Sequence, residues 1–109
     1  MTEPTVTRWS EEALPTSELL DTLLREEDLA PRWWSNGPGD TYATHEHGYR
    51  KVLYCARGSI TFATPAGAYE LTPGDRLELP AGTPHSAVVG DAGVECVESA
   101  LREDAQGAS

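Results

Sequence analysis

The chain has 109 residues, with 18 acidic against 8 basic side chains, a formal charge of −10, 39% apolar residues and 24% charged residues. That length holds one domain, because two would each fall near the size where hydrophobic cores become marginal. A surface this negative repels phosphate backbones and anionic lipid, and no apolar run reaches transmembrane length, so nucleic acid and membrane are not expected as partners.

The first ten residues, M-T-E-P-T-V-T-R-W-S, have neither the basic start nor the apolar middle of a secretory signal, and a cytoplasmic location is expected. A short strand or docked arm is expected from Thr5 to Trp9, anchored by Trp9. From Pro15 to Leu29, Leu19, Leu20, Leu23 and Leu24 recur at helical spacing, while Glu18, Asp21, Arg25 and Glu26 take the other faces. Thr16 or Ser17 can cap the start, Glu18 suits the dipole of the first turn, and Pro31 ends the pattern. The leucine face predicts a helix packed on a core.

From Arg32 onward, glycine, proline and β-formers alternate at short intervals. Strands are expected near Arg32–Ser35, Thr41–His47, Lys51–Ala56, Ser59–Thr64, Ala68–Leu71, Arg76–Leu79, His85–Val89 and Val94–Glu98. Turn-forming separators lie between them, among them R-G and G-D-A-G. Many short strands predict a closed sandwich or barrel, which removes exposed strand edges. Alternation puts Lys51, Leu53 and Cys55 on one face of their strand and Leu77 and Leu79 on one face of theirs, and both sets are expected to line the barrel. Of the adjacent Trp33 and Trp34, one points inward; the other is expected to cover the helix or a dimer interface. Arg57 and Arg76 read as solvated strand ends. Cys55 and Cys96 lack C-x-x-C spacing and read as free core thiols. The division expected is an arm and helix over 1–31, a barrel over 32–100, and a disordered acidic tail over 101–109.

All three histidines and the only lysine fall between Gly39 and His85. His45 and His47 are one residue apart, so an extended strand puts both imidazoles on one face, about 7 Å apart at the backbone. P-A-G-T-P-H sets His85 at the start of a strand after a rigid turn. Two histidines from one strand and a third from a distant one are the set that a three-imidazole metal site needs.

The two segments, G-D-T-Y-A-T-H-E-H-G-Y-R-K-V-L-Y-C-A-R-G and G-D-R-L-E-L-P-A-G-T-P-H, resemble the two motifs of the cupin superfamily. The first motif has the form G-x5-H-x-H-x3,4-E-x6-G, matched by Gly39, His45, His47 and Gly58; the second is G-x5-P-x-G-x2-H-x3-N, matched by Gly74, Pro80, Gly82 and His85. The resemblance spans roughly residues 35–98. It implies an all-β fold: a single small cupin-type double-stranded β-helix (jelly-roll) barrel, here with one N-terminal α-helix. It also implies a homodimer, for which the arm around Trp9 and the Trp33–Trp34 pair are the candidate surfaces.

Two positions depart from the motifs. Lys51 stands where the family has a glutamate ligand, and Val89 stands where it has asparagine. A charged lysine has no lone pair, so it cannot ligate a cation and would repel one nearby. Lys51 therefore leans away onto a carboxylate or carbonyl, or faces an open metal position and activates an anionic ligand, or replaces the metal. Three neutral imidazoles suit iron or zinc, and nickel next. The function expected is metal binding through His45, His47 and His85, in a dioxygenase, isomerase or lyase acting on a small organic acid or diketone. Lys51 and Tyr49 are the candidate catalytic side chains. The alternative is a small-ligand-binding or sensor cupin without catalysis, its metal site degenerate because of Lys51.

Overall fold

The computed structural model describes residues 3–101. Its strands are β1 (Thr5–Thr7), β2 (Arg32–Asn36), β3 (Thr41–His45), β4 (Arg50–Thr64), β5 (Gly67–Leu71), β6 (Arg76–Leu79) and β7 (His85–Leu101), with one helix, α1 (Ser17–Glu26). The long strands β4 and β7 pair antiparallel along most of their length and carry the rest. The first half of β4 also pairs with β6, and its second half with β5. Likewise the first half of β7 pairs with β3 and its second half with β2, while β1 adds to β6.

Two pairs of expected strands are therefore single strands. The R-G and G-D-A-G segments are not turns between elements but irregularities within β4 and β7. The ladder shifts between Cys55 and Arg57 and again between Gly58 and Ile60. Gly58 and Gly93 both have positive φ, and a Cβ on Gly58 would meet the Gly93 carbonyl oxygen at 1.9 Å. Both partners are irregular at the same level, so pairing resumes beyond it and the glycines mark a bend. The shift also changes parity. Leu53 and Cys55 face the interior before it, and Ile60 and Phe62 after it. Both halves thus bury one core, with Leu77, Leu79, Ala87, Val89 and Cys96. This is the expected all-β barrel with one helix, although hydrogen bonding does not run all the way round. Among the described residues the pairing path ends at β1 and at β2.

The opposite face of β4 presents Val52, Tyr54 and Ala56, and with Val97 these bury Leu20, Leu24 and Leu29. Thr16 caps α1, its hydroxyl accepting from the Leu19 amide at 3.1 Å. Arg76 is no solvated strand end. Its guanidinium donates to both carboxylate oxygens of Glu27, at 2.6 and 2.9 Å, and to the Tyr54 hydroxyl, so it ties the end of α1 to the sheet. Arg57 is exposed and pairs with Glu95. Trp9 packs against Gly74, and its amide donates to the Asp75 carboxylate at 2.9 Å. Cys55 and Cys96 are free, fully buried and opposite each other across β4 and β7. Leu101 ends β7; the rest of the expected tail lies outside the described residues.

Candidate metal centre

Three local features bring the histidines together. His45 closes β3 and is paired in register with His85, the first residue of β7. His47 lies just beyond β3 rather than on it as expected. Its carbonyl accepts from the Gly82 amide at 2.8 Å, which ties the H-x-H segment to the P-A-G-T-P-H turn. The ring centroids are 4.8 Å apart for His45–His47, 4.4 Å for His45–His85 and 5.3 Å for His47–His85. One ligand nitrogen from each ring falls within 4.8 Å of the others. His45 is exposed, His47 half-buried and His85 buried, so the cluster opens from the interior toward solvent.

The nitrogens already in use decide whether this set fits a metal. Nδ1 of His45 lies 2.9 Å from the Ala43 carbonyl oxygen, and Nδ1 of His85 lies 3.0 Å from that of Thr83. A carbonyl only accepts, so both Nδ1 atoms carry the proton and both Nε2 atoms offer a lone pair. Nε2 of His47 and of His85 are buried without a hydrogen-bond partner, and buried polar atoms ordinarily have one. Burial, then the Lys51 ammonium and the neighbouring imidazoles, hold His47 below the usual imidazole range. Burial also lowers His85, against the pull of the Thr83 carbonyl. Neutral, oriented imidazoles with unspent nitrogens are a donor set that a divalent cation fits.

Beside the cluster is a cavity of about 270 Å³ whose lining includes His45, His85, Trp34, Tyr42, Phe62 and Lys51. Lys51 pairs with a carboxylate, as in the first of its three outcomes, but does not leave the cavity wall. It faces the interior, and its Nζ lies 3.2 Å from Glu98 Oε1, with both side chains about nine-tenths buried. The same oxygen accepts from the Trp34 indole at 2.9 Å. Of the tryptophan pair, Trp34 is thus the inward one, while the Trp33 indole donates to Asp21 on α1. Tyr49 does not line this cavity. Its ring stacks on His47, with centroids 4.7 Å apart. Glu98 and Arg32, both on the cavity wall, were not anticipated from sequence. The available signal for Glu98 was parity, since Val94, Cys96 and Glu98 share one face of β7 and a carboxylate is out of place among core residues.

Comparison with known proteins places this geometry in context. A family model described as the AraC-like ligand binding domain matches residues 35–98. Over 54 residues the chain is 43% identical to quercetin 2,3-dioxygenase of Bacillus subtilis (strain 168), a match covering 48% of this chain but 16% of that protein. The chain therefore spans only a small part of that relative's length. The solved structure of KdgF from Halomonas sp. is 25% identical, with a TM-score of 0.56 over 71% of this chain and 73% of that one. A cupin superfamily protein from Desulfitobacterium hafniense DCB-2 is 13% identical, with a TM-score of 0.62 over 93% of this chain and 79% of that one, a likeness of fold alone. With a match over more than half of its length, on a barrel shared with cupins, this chain belongs to the family of AraC-like ligand binding domains.

Proposed function

We propose that the chain is a small cupin that holds one divalent metal on His45, His47 and His85 and acts as a metal-dependent enzyme. The reaction is that of a dioxygenase, isomerase or lyase on a small organic acid or diketone. The observation that carries this reading is the pair of orphaned, buried Nε2 atoms, on His47 and His85, inside a three-imidazole cluster beside a cavity. Imidazole donors favour iron or zinc, with nickel next. When bound, such an ion supplies Lewis-acid polarisation of a ligand oxygen, and iron adds redox chemistry.

The chain's own residues supply the rest. The Ala43 and Thr83 carbonyls fix two rings in the ligating tautomer. Trp34, Tyr42 and Phe62 give the cavity aromatic walls. Lys51 turns one donor to Glu98 and keeps others for a ligand oxygen. Tyr49 positions His47 by stacking on it.

One observation favours the second reading, a ligand-binding or sensor cupin without turnover. Glu98, the carboxylate on the cavity wall, has its Oε1 engaged by both Lys51 and Trp34, and two donors on one oxygen make the group a weaker base. Metal titration after chelation, with oxygen consumption and product formation followed across small acids and diketones, separates the two. Turnover that returns with metal supports the enzyme; saturable ligand binding without turnover supports the sensor. Failure of the stripped protein to take up any metal removes both metal-based forms. A homodimer belongs to the same proposal, supported by the strand edges left open at β1 and β2. So does a cytoplasmic location, supported by two buried free thiols.

A further inference from the structure

Every cationic side chain among the described residues has a carboxylate partner except one. Arg8 pairs with Asp75, Arg25 with Asp21, Arg50 with Glu78, Lys51 with Glu98, Arg57 with Glu95, and Arg76 with Glu27. Among the described residues the Arg32 side chain has neither an ion pair nor a hydrogen bond, in a chain with 18 acidic residues against 8 basic ones. Its position makes this informative. Arg32 begins β2 directly opposite Glu98 on β7, and residues opposite each other across a sheet share a face. Glu98 nonetheless gives its Oε1 to Lys51 and Trp34. Arg32 is left exposed at the mouth of the histidine cavity, where it also borders the adjoining cleft beside Tyr49.

The cavity wall thus carries two cations and one carboxylate, and two of those three charges are already matched. The remaining guanidinium presents a planar fork of donors suited to a carboxylate. Trp34, Tyr42 and Phe62 share the cavity wall with Arg32 and two of the imidazoles, and a volume of about 270 Å³ suits a ligand of roughly ten non-hydrogen atoms. We propose that Arg32 is the specificity residue of this site and binds the carboxylate of a small oxo- or hydroxy-acid whose other end reaches the three histidines. The proposal deepens the metal-centre reading, and its histidine end rests on that reading.

The test uses 2,4-dioxopentanoate, its methyl ester and acetylacetone as probes, with binding followed by calorimetry and tryptophan fluorescence on zinc-loaded protein. The acid should bind at least tenfold more tightly than the ester. R32M should abolish that ratio while leaving ester affinity unchanged, and R32K should keep part of it. R57M, an exposed cation outside the cavity, should match the wild type. Equal affinity of acid and ester in the wild type, or an undiminished ratio in R32M, overturns the proposal. Loss of the tenfold ratio in R32M with both affinities unchanged by H85A confirms the Arg32 end and removes the histidine end. The failure of the metal reading is thereby read separately from that of the arginine.

Discussion

Lys51 and Glu98 meet diagonally across the β4–β7 ladder, where Lys51 lies opposite Ala100 and Glu98 opposite Leu53, with Nζ 3.2 Å from Oε1 on the wall of the histidine cavity. The acidic ligand position of the first motif has thus become a lysine, and a neighbouring strand supplies the opposite charge. Glu98 offsets the ammonium only in part, because at His47 and His85 the Lys51 charge outweighs the opposing carboxylate.

Breaking that pair from either side strands a buried charge. Lys51→Met and Glu98→Gln should each cost about 3–5 kcal/mol of stability, measured by denaturant unfolding, and the double substitution should cost less than their sum. Their effects on metal affinity should be opposite. Lys51→Met leaves a carboxylate near the cluster and should tighten binding, while Glu98→Gln leaves an ammonium and should weaken it. Changes of the same sign in competitive metal titrations would show that the charges act only through the fold.

Asp75 ties the N-terminal arm to the barrel and makes that contact sensitive to acid. Burial alone would raise its carboxyl, but the Thr72 and Trp9 amides and the Arg8 guanidinium outweigh burial and hold it below the usual carboxylate range. A depressed folded value means that the unfolded chain binds the proton more readily. The stability is therefore fully present above the unfolded carboxylate pKa of about 4 and is lost as pH falls through the folded value. Asp75→Ala should cost about 2 kcal/mol at pH 7 and should flatten the acid limb of a stability–pH curve. An acid limb unchanged in the variant would assign it to other carboxylates.

The bend between the two halves of β4 depends on Gly58. An alanine there must hold φ at +75° and place its Cβ 1.9 Å from the Gly93 carbonyl oxygen. Gly58→Ala should destabilise the protein by about 3 kcal/mol or more, whereas Gly39→Ala, with positive φ but open space, should cost about 1 kcal/mol. Equal costs would mean that backbone conformation, not the close approach, sets the requirement.

The sequence revealed the histidines because their spacing and turn chemistry are local. H-x-H at the end of β3 and P-A-G-T-P before His85 each specify where a side chain emerges, and convergence followed from pairing the two. It also gave the leucine face of α1 and the inward parity of Leu53, Cys55, Leu77 and Leu79. Glu98 and Arg32 were not legible because their roles depend on β2 and β4 flanking β7, a relationship between segments distant in sequence. The unity of β4 and β7 was hidden for a similar reason. Gly58 and Gly93 carry the local signal of a turn, and only the matching irregularity on the partner strand turns that signal into a bend. Arg76 looked solvated because Glu27, its partner, lies 49 positions away on a different element.

The central claim is that His45, His47 and His85 share one divalent ion, and elemental analysis of protein purified without a histidine tag tests it most directly. The account predicts close to one equivalent of iron, zinc or nickel per chain, retained through gel filtration and lost in His85→Ala while the barrel stays folded by circular dichroism. Metal-free protein after growth and refolding in metal-replete medium, or an equivalent retained undiminished when all three histidines are replaced by alanine, would contradict it.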